Sequence, residues 1–183
     1  GVSWSPPEAF HDDFLIDADK NPNTQGLKSL GLLSGDDRAE SVLSAAENGA
    51  IKVLIVFGVD LLTVYGRERI ERAVNKSKVI VLDTDYNDFT EYSDVILPIA
   101  AAPETDGTCT NKRSRVQLLS RALPPHGEAK AGWEALNLLS TRLDGRDFES
   151  ASEIFEELTR LNPAFAGLSY GKMGMHGAAL SKI

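Results

Sequence analysis

Cysteine is almost absent from this sequence, since Cys109 is the only one among 183 residues. A single thiol excludes an internal disulfide, and it excludes a cluster held by four thiolates of this chain. Histidine is nearly as rare, and His11, His126 and His176 do not pair at metal-ligand spacing. We therefore predict no metal site in these residues.

Positive charge and long apolar runs are also scarce. The chain has 19 Lys and Arg against 27 Asp and Glu, a formal net charge of −8. An acidic surface repels phosphate backbones and anionic lipid headgroups, so we expect no nucleic-acid partner. No run approaches the roughly 20 apolar residues of a membrane-spanning helix, so we expect no direct membrane insertion. The chain opens with Gly1 and no signal peptide, which we interpret as a cut boundary within a longer protein or as the remnant of a tag.

Three runs rich in β-branched and aliphatic residues predict the strands of a sheet, at Ile51–Phe57, Lys78–Leu82 and Asp94–Pro98. The first run is nearly continuous, which predicts burial on both faces of a parallel sheet. Helices are predicted between the strands, from Leu61 to Asn75 and from Asn87 to Tyr92. This alternation predicts an α/β fold, with a doubly wound, mostly parallel sheet of βαβ units.

Further elements are predicted on either side of these units. They are a strand at Phe14–Ala18, a helix at Thr24–Leu30, a helix capped by Asp36 or Asp37 that ends at Gly49, a loop at Ala100–Asn111, a strand at Arg115–Leu119, a helix at Glu128–Leu143 with Trp133, Leu136 and Leu139 inward, and a helix from Ser152 to Pro163. An extended tail that lies on something else follows. We divide the chain into an α/β domain of residues 1–145, itself a fragment of a larger one, and a C-terminal helix and tail of residues 146–183.

Polar residues follow the strands where ligands bind in open α/β sheets, just past the carboxyl ends. Gly58-Val-Asp60 follows the first strand, Asp83-Thr-Asp85 the second, and the loop Pro103–Asn111 comes after the third. Glycine permits a close backbone approach, and Asp, Thr and Asn offer polar contacts to a nucleotide-like group. The structural alternative is that these side chains only cap strands and helices.

Several short motifs in this region occur in a characteristic order. They are Thr90-Glu91, then Asp94-Val-Ile-Leu-Pro98, then Glu104-Thr-Asp-Gly107-Thr108-Cys-Thr-Asn111, then Arg115-Val-Gln117, with Asn21-Pro-Asn-Thr-Gln-Gly26 upstream. Together they resemble the pattern of the molybdopterin-oxidoreductase superfamily, over roughly residues 20 to 145. The resemblance implies the same α/β fold and a role in redox chemistry.

Two branches of that superfamily compete. Ser152–Leu158 and Pro163–Tyr170 are similar to the closing segment of the large iron–sulfur subunit of NADH:quinone oxidoreductase, respiratory complex I. Two departures from the cofactor-binding pattern favour the same branch. Asp60 stands where relatives commonly have Asn, and Arg113 replaces an acidic residue.

The complex I resemblance implies a C-terminal structural domain that supports electron transfer from NADH to quinone and is not catalytic by itself. It implies no cofactor in this chain, iron–sulfur clusters in a missing N-terminal part, and the other peripheral-arm subunits as partners. It further implies a bacterial cytoplasmic location, peripheral to the inner membrane through the complex.

The alternative is a fragment of a formate dehydrogenase-like molybdopterin enzyme that contributes half of a pterin site. The resemblance then assigns seven residues to the cofactor: Gly58, Asp60, Asp83, Thr84, Thr108, Asn111 and Arg115. No residue is assigned a catalytic role. The nucleophile-elbow pattern Gly167-Leu-Ser169-Tyr-Gly171 has no acid after the serine, so we interpret it as a chance match. A stand-alone nucleotide-binding module is a third hypothesis, which rests on the fold alone.

Overall fold

The fold was described from a computed structural model, which covers residues 11, 12, 19, 22–33 and 38–181, without the side chain of Arg38. The predicted strand Phe14–Ala18 and the predicted caps Asp36 and Asp37 lie outside the described residues. Within the described part the helices are α1 (Thr24–Ser29), α2 (Arg38–Glu47), α3 (Leu61–Tyr65), α4 (Arg67–Val74), α5 (Gly132–Thr141), α6 (Ala151–Leu161) and α7 (Tyr170–Met173). The strands are β1 (Val53–Phe57), β2 (Lys78–Asp83), β3 (Val95–Pro98), β4 (Gly107–Thr110), β5 (Arg115–Leu119) and β6 (Ala178–Ala179). Short 3₁₀ turns occur at Asp88–Tyr92, Ala102–Glu104 and Pro163–Phe165.

The chain forms two compact units. The sheet unit consists of residues 39–105 and 120–147. The hairpin unit consists of the described parts of residues 1–38, 106–119 and 148–183. The division predicted at residue 145 stays a prediction.

The sheet unit contains the predicted parallel sheet, in the order β1-β2-β3. Val53 pairs with Lys78, and Ile80 pairs in turn with Val95. Helices α2 and α4 cover one face, where Ile70 and Ala73 of α4 are fully buried. Helix α5 lies on the other face, where Ala135 packs with Leu82. Helices on both faces of a parallel sheet confirm the doubly wound α/β class.

Strand β1 departs from its predicted burial. Leu54 and Val56 are buried, as expected, but Val53, Ile55 and Phe57 are each about half exposed. The aliphatic run gave no sign of this, because periodicity cannot show how far a neighbouring helix reaches across a sheet. Strand β1 is therefore buried on one face only.

The helix predicted from Leu61 to Asn75 is two helices, α3 and α4, which are separated at Gly66. Gly66 has φ +77°, a left-handed conformation that ends a helix and that glycine adopts at no steric cost. Helix α5 is shorter than predicted, and its Leu136 is 43% exposed instead of inward.

The hairpin unit contains a small antiparallel sheet, in the order β4-β5-β6. Strand β4 lies within the segment predicted as a loop, where Gly107-Thr-Cys-Thr110 is too short and polar to show a strand pattern. Val116 of β5 is fully buried, together with Phe155, Phe165 and Met173. The tail is thus partly ordered as α7 and β6. No helix in the described residues has the length and apolar character needed to cross a membrane.

Candidate functional site

Gly58 follows β1 at the carboxyl edge of the parallel sheet. Its N–H donates to the carbonyl of Leu82 at 2.9 Å, and its φ is +62°. A Cβ placed on Gly58 would have no heavy atom within 4 Å. The backbone there is open to a close approach, but a larger residue would be strained by the positive φ.

Asp60 caps helix α3. Its Oδ1 accepts from the Leu62 N–H at 2.9 Å and from the Thr63 N–H at 3.5 Å. Its Oδ2 accepts from the Thr63 hydroxyl at 2.7 Å. These are the contacts of an N-cap residue, and they hold the carboxylate at the sheet edge.

Asp83 ends β2 and closes a turn onto the residues that follow. Its Oδ1 accepts from the Thr84 N–H at 2.7 Å, and its Oδ2 accepts from the Asn87 Nδ2 at 2.9 Å. The Oδ1 of Asp85 accepts from the Tyr86 N–H at 2.8 Å. Thr84 and Asp85 are exposed. Two parallel strands therefore end in a short, partly exposed rim of carboxylates.

Thr108, Asn111 and Arg115 belong to the hairpin unit. Thr108 lies in β4 opposite Leu118. Asn111 closes the turn between β4 and β5, since its Oδ1 accepts from the N–H groups of Arg113 at 2.9 Å and Arg115 at 3.1 Å. Its Nδ2 donates to Gln117 Oε1 at 3.1 Å. All the polar atoms of the Asn111 side chain thus have partners within the hairpin.

Arg115 holds the C-terminal residues. Its Nε donates to the His176 carbonyl at 3.1 Å and its Nη2 to the Gly177 carbonyl at 2.6 Å. Gly177 has φ +66°, and a Cβ there would overlap the carbonyl oxygen of Val116. The guanidinium therefore has a structural role in seating β6 against β5.

Asn23 is a further polar residue of the hairpin unit, for which no role was predicted beyond its place in the resembling segment. Its Oδ1 accepts from the N–H of Thr110 at 2.7 Å. Gly26 lies so close that a Cβ would overlap Asn23 Oδ1 and come within 3.0 Å of Thr110 Oγ1. The sequence contains no signal that pairs Asn23 with Thr110, which lies 87 positions further along the chain.

Cys109 is half-buried, and burial raises the pKa of its thiol. A raised pKa lowers the thiolate fraction and disfavours nucleophilic reactivity. Burial, with a contribution from Asp106, raises the pKa of Tyr170 to about 12. Among the described residues no group of three or more His, Cys, Asp or Glu could hold a metal ion.

The family model described as molybdopterin oxidoreductase matches residues 23–142. That range contains all seven predicted cofactor residues, nearly all of the sheet unit, and the parts of the hairpin unit at residues 23–38 and 106–119. The chain belongs to the molybdopterin oxidoreductase family. The resemblance found in the motifs is confirmed at this level.

Two bacterial relatives of this molybdopterin oxidoreductase segment carry the name putative formate dehydrogenase. A Staphylococcus aureus (strain USA300) protein is 34% identical over 152 residues, which are 81% of this chain and 15% of that protein. A Staphylococcus haemolyticus protein is 32% identical over 136 residues, 72% of this chain and 14% of that protein. The chain therefore spans about one seventh of the length of these relatives.

Proposed function

We propose that this chain is a segment of a longer molybdopterin-dependent oxidoreductase of the formate dehydrogenase kind, and that it contributes residues to the binding of the pterin cofactor. The observation that carries the proposal is the similarity to proteins named putative formate dehydrogenase over 81% of the chain. Those names favour the formate dehydrogenase alternative over a subunit of NADH:quinone oxidoreductase.

The rim of the sheet unit suits the heterocyclic part of such a cofactor. Gly58 leaves its backbone open, and the carboxylates of Asp60, Asp83 and Asp85 accept hydrogen bonds. The N–H groups of a pterin or guanine would satisfy such acceptors, while a pyrophosphate would be repelled. The residues present therefore fit the N–H-rich rings better than the phosphates.

The side chains that would hold the group are pre-positioned. Asp60 is held by the start of α3 and Asp83 by Asn87, so little rotamer freedom is lost on binding. In the hairpin unit, Asn111 and Arg115 fix the hairpin and its last strand. When bound, the cofactor supplies a metal centre for two-electron redox chemistry, and this chain supplies binding and orientation.

Binding of guanosine, which has the ring N–H groups without the pyrophosphate, tests the proposal, with the affinity measured by calorimetry on the chain and on its variants. We expect saturable binding that D83N weakens about tenfold, since a hydrogen bond to a charged group contributes about 1.5–3 kcal/mol. The control is E91Q, which removes an exposed carboxylate four residues before β3 begins, near the amino edge of the sheet. Absence of saturable binding, or equal affinity for D83N and E91Q, would contradict the proposal.

A second candidate function is a structural domain of the large iron–sulfur subunit of NADH:quinone oxidoreductase. Four of the candidate side chains, Asp60, Asp83, Asn111 and Arg115, have partners within their own unit, as scaffold residues would. This function would place the chain beside other peripheral-arm subunits, on the cytoplasmic side of the inner membrane.

The molybdenum content of the longer natural protein separates the two candidates. Stoichiometric molybdenum by mass spectrometry, with pterin fluorescence after oxidation, supports the formate dehydrogenase kind. Iron and acid-labile sulfide without molybdenum support the structural domain.

A further inference from the structure

The turn between β4 and β5 is positively charged in a chain that is acidic overall. The hairpin from Gly107 to Leu119 contains Lys112, Arg113 and Arg115 and no Asp or Glu, whereas the whole chain has a formal net charge of −8. Lys112 and Arg113 are exposed, and Arg115 is partly buried. Positive charge concentrated in one short segment attracts anions to that place even when the net charge of the protein is negative.

Two of these charges are not neutralised within the part of the chain that the structure describes. There the Arg113 guanidinium has neither a hydrogen bond nor an ion pair, since only its backbone N–H is bonded. The Arg115 guanidinium donates to two backbone carbonyl oxygens, which carry no net charge. By contrast, Arg160 of the same unit has the Glu157 carboxylate at 2.7 Å. The turn therefore has two guanidinium charges available to an external anion.

The backbone of the turn is held by hydrogen bonds to Asn111. The Oδ1 of Asn111 accepts from the N–H groups of Arg113 and Arg115, at 2.9 and 3.1 Å. The carbonyl of Asn111 accepts from the Ser114 N–H at 2.9 Å. Three successive N–H groups are thus occupied and cannot form an anion-binding nest. Contacts with an anion would come from the side chains, and a fixed turn lowers the entropic cost of positioning them.

Arg115 lies on the outer face of the small sheet. Its neighbour Val116 is fully buried in the core of the hairpin unit. Side chains alternate along a strand, so Arg115 and Gln117 are on the opposite face from Val116. Gln117 is exposed there. The side of the hairpin that carries Arg115 is therefore polar and faces away from the core.

We propose that the β4–β5 turn is a diphosphate-binding site, in which the guanidinium groups of Arg113 and Arg115 hold the two phosphoryl groups of a nucleotide-type ligand. Guanidinium groups bind phosphate oxygens through paired N–H donors. The assignment rests on the proposed function, in which the carboxylates of the sheet unit suit ring N–H groups and repel a diphosphate. The diphosphate then needs a basic contact of its own. Arg113 stands where the family pattern has an acidic residue, so this contact is particular to this chain.

A nucleic acid is a poorer ligand for this turn. Its phosphate backbone extends over many nucleotides and would also meet the acidic remainder of a chain whose net charge is −8. A diphosphate is small enough to contact the basic turn alone. The charge distribution therefore favours a small ligand with two phosphoryl groups.

Binding of inorganic pyrophosphate to the 183-residue chain tests the proposal. The affinity is measured by calorimetry at constant ionic strength, and the amide chemical shifts of residues 111–115 locate the ligand. R113Q removes one charge, R113K keeps it, and R113E introduces the acidic residue of the family pattern. R160Q is the matched control, because it changes the net charge of the same unit equally but removes an arginine already paired with Glu157.

We expect saturable pyrophosphate binding that R113Q weakens about tenfold and R113E abolishes, because charge-assisted hydrogen bonds are lost. R113K and R160Q should bind within a few-fold of the wild type. Equal weakening by R113Q and R160Q would overturn the proposal, since only the net charge would then matter. Absence of saturable binding would overturn it too, as would equal or tighter binding of sulfate or of a single-stranded oligonucleotide at the same ionic strength.

The guanosine titration described above separates the diphosphate site from the ring site of the proposed function. Guanosine binding that D83N weakens, without pyrophosphate binding, would refute the diphosphate site and leave the ring site standing. Pyrophosphate binding that R113Q weakens, without guanosine binding, would refute the ring site and leave the diphosphate site standing. Neither titration depends on molybdenum, so each site is tested by a readout of its own.

Discussion

The sheet unit joins strands that follow one another closely along the chain, whereas the hairpin unit joins segments that lie far apart in it. In the sheet unit, Val53 pairs with Lys78 and Ile80 with Val95. In the hairpin unit, Asn162 donates to the Ser29 carbonyl across 133 positions, and Thr110 donates to Asn23 across 87. One unit is thus assembled from local βαβ connections, whereas the other also contains hydrogen bonds between segments far apart in the chain.

The two units also differ in how they bury apolar surface. The sheet unit has an aliphatic core with Ile70, Val79 and Val81, and Phe89 is its buried aromatic ring. The hairpin unit depends on an aromatic cluster, in which the Phe155 ring lies 6.2 Å from Phe165 and 5.7 Å from Tyr170. Substitutions in the hairpin unit should therefore lower its free energy of unfolding and should leave the hydrogen exchange of the sheet unit unchanged.

The largest expected effect is that of F155A. Loss of a buried Phe with two ring contacts should destabilise the hairpin unit by about 3–5 kcal/mol. Hydrogen exchange should show faster exchange in β5, with β2 amides unchanged. The control L161A removes a side chain of the same helix that is 74% exposed. Equal acceleration in β2 would mean that the two units unfold together.

G177A should have the next largest effect. The left-handed φ and the overlap with the Val116 carbonyl together should lower the free energy of unfolding by about 2–4 kcal/mol. The measurement is chemical unfolding followed by exchange of the β6 amides. G167A is the matched control, because Gly167 also has a positive φ but its Cβ would meet open space. A cost for G167A as large as for G177A would show that conformational strain, and not the close approach, matters.

N23A should lower the free energy of unfolding by about 1–2 kcal/mol. It removes the oxygen that accepts the hydrogen bond from the N–H of the buried Thr110. N23D retains an oxygen acceptor and should recover most of the loss. Denaturant midpoints of the three proteins check this order. If N23D were as unstable as N23A, the hydrogen bond would not be the stabilising contact.

The smallest effect concerns the sheet unit. A hydrogen bond from Lys78, and then one from the Val79 N–H, holds the pKa of Asp94 below its ordinary value of 3.8. A lowered pKa in the folded state gives stability that is present above pH 3.8 and is lost as the pH falls through the folded-state value. The unfolding temperature should therefore fall less steeply in D94N than in the wild type below about pH 4. Parallel acid profiles would refute this role.

The sheet unit was largely predictable from the sequence because its cues are local. Runs such as Lys78–Leu82 specify buried strands, and Gly49 and Asp60 mark the ends of helices. The exposure of Ile55 and the break at Gly66 were not predictable, since they depend on how much of the sheet face is covered and on how α3 meets α4.

The candidate site was predictable in its position along the chain but not in its bonding. Asp83 was identified by its position after the second strand, and Asn111 and Arg115 by the order of the motifs; the family match covers all three. Their partners, Asn87, Gln117 and the His176 carbonyl, depend on turn geometry and on long-range pairing. Whether the seven residues bind a pterin stays a prediction.

The contacts of Arg115 with His176 and Gly177 also determine when the hairpin unit can finish folding during synthesis. Every strand of the sheet unit has left the ribosome well before Gly177 is added, so that unit can fold while translation continues. The β4–β5 hairpin must wait for its third strand, because β6 is translated about sixty residues after β5. During that interval the outer edge of β5 is open, which exposes unpaired backbone groups to pairing with other chains.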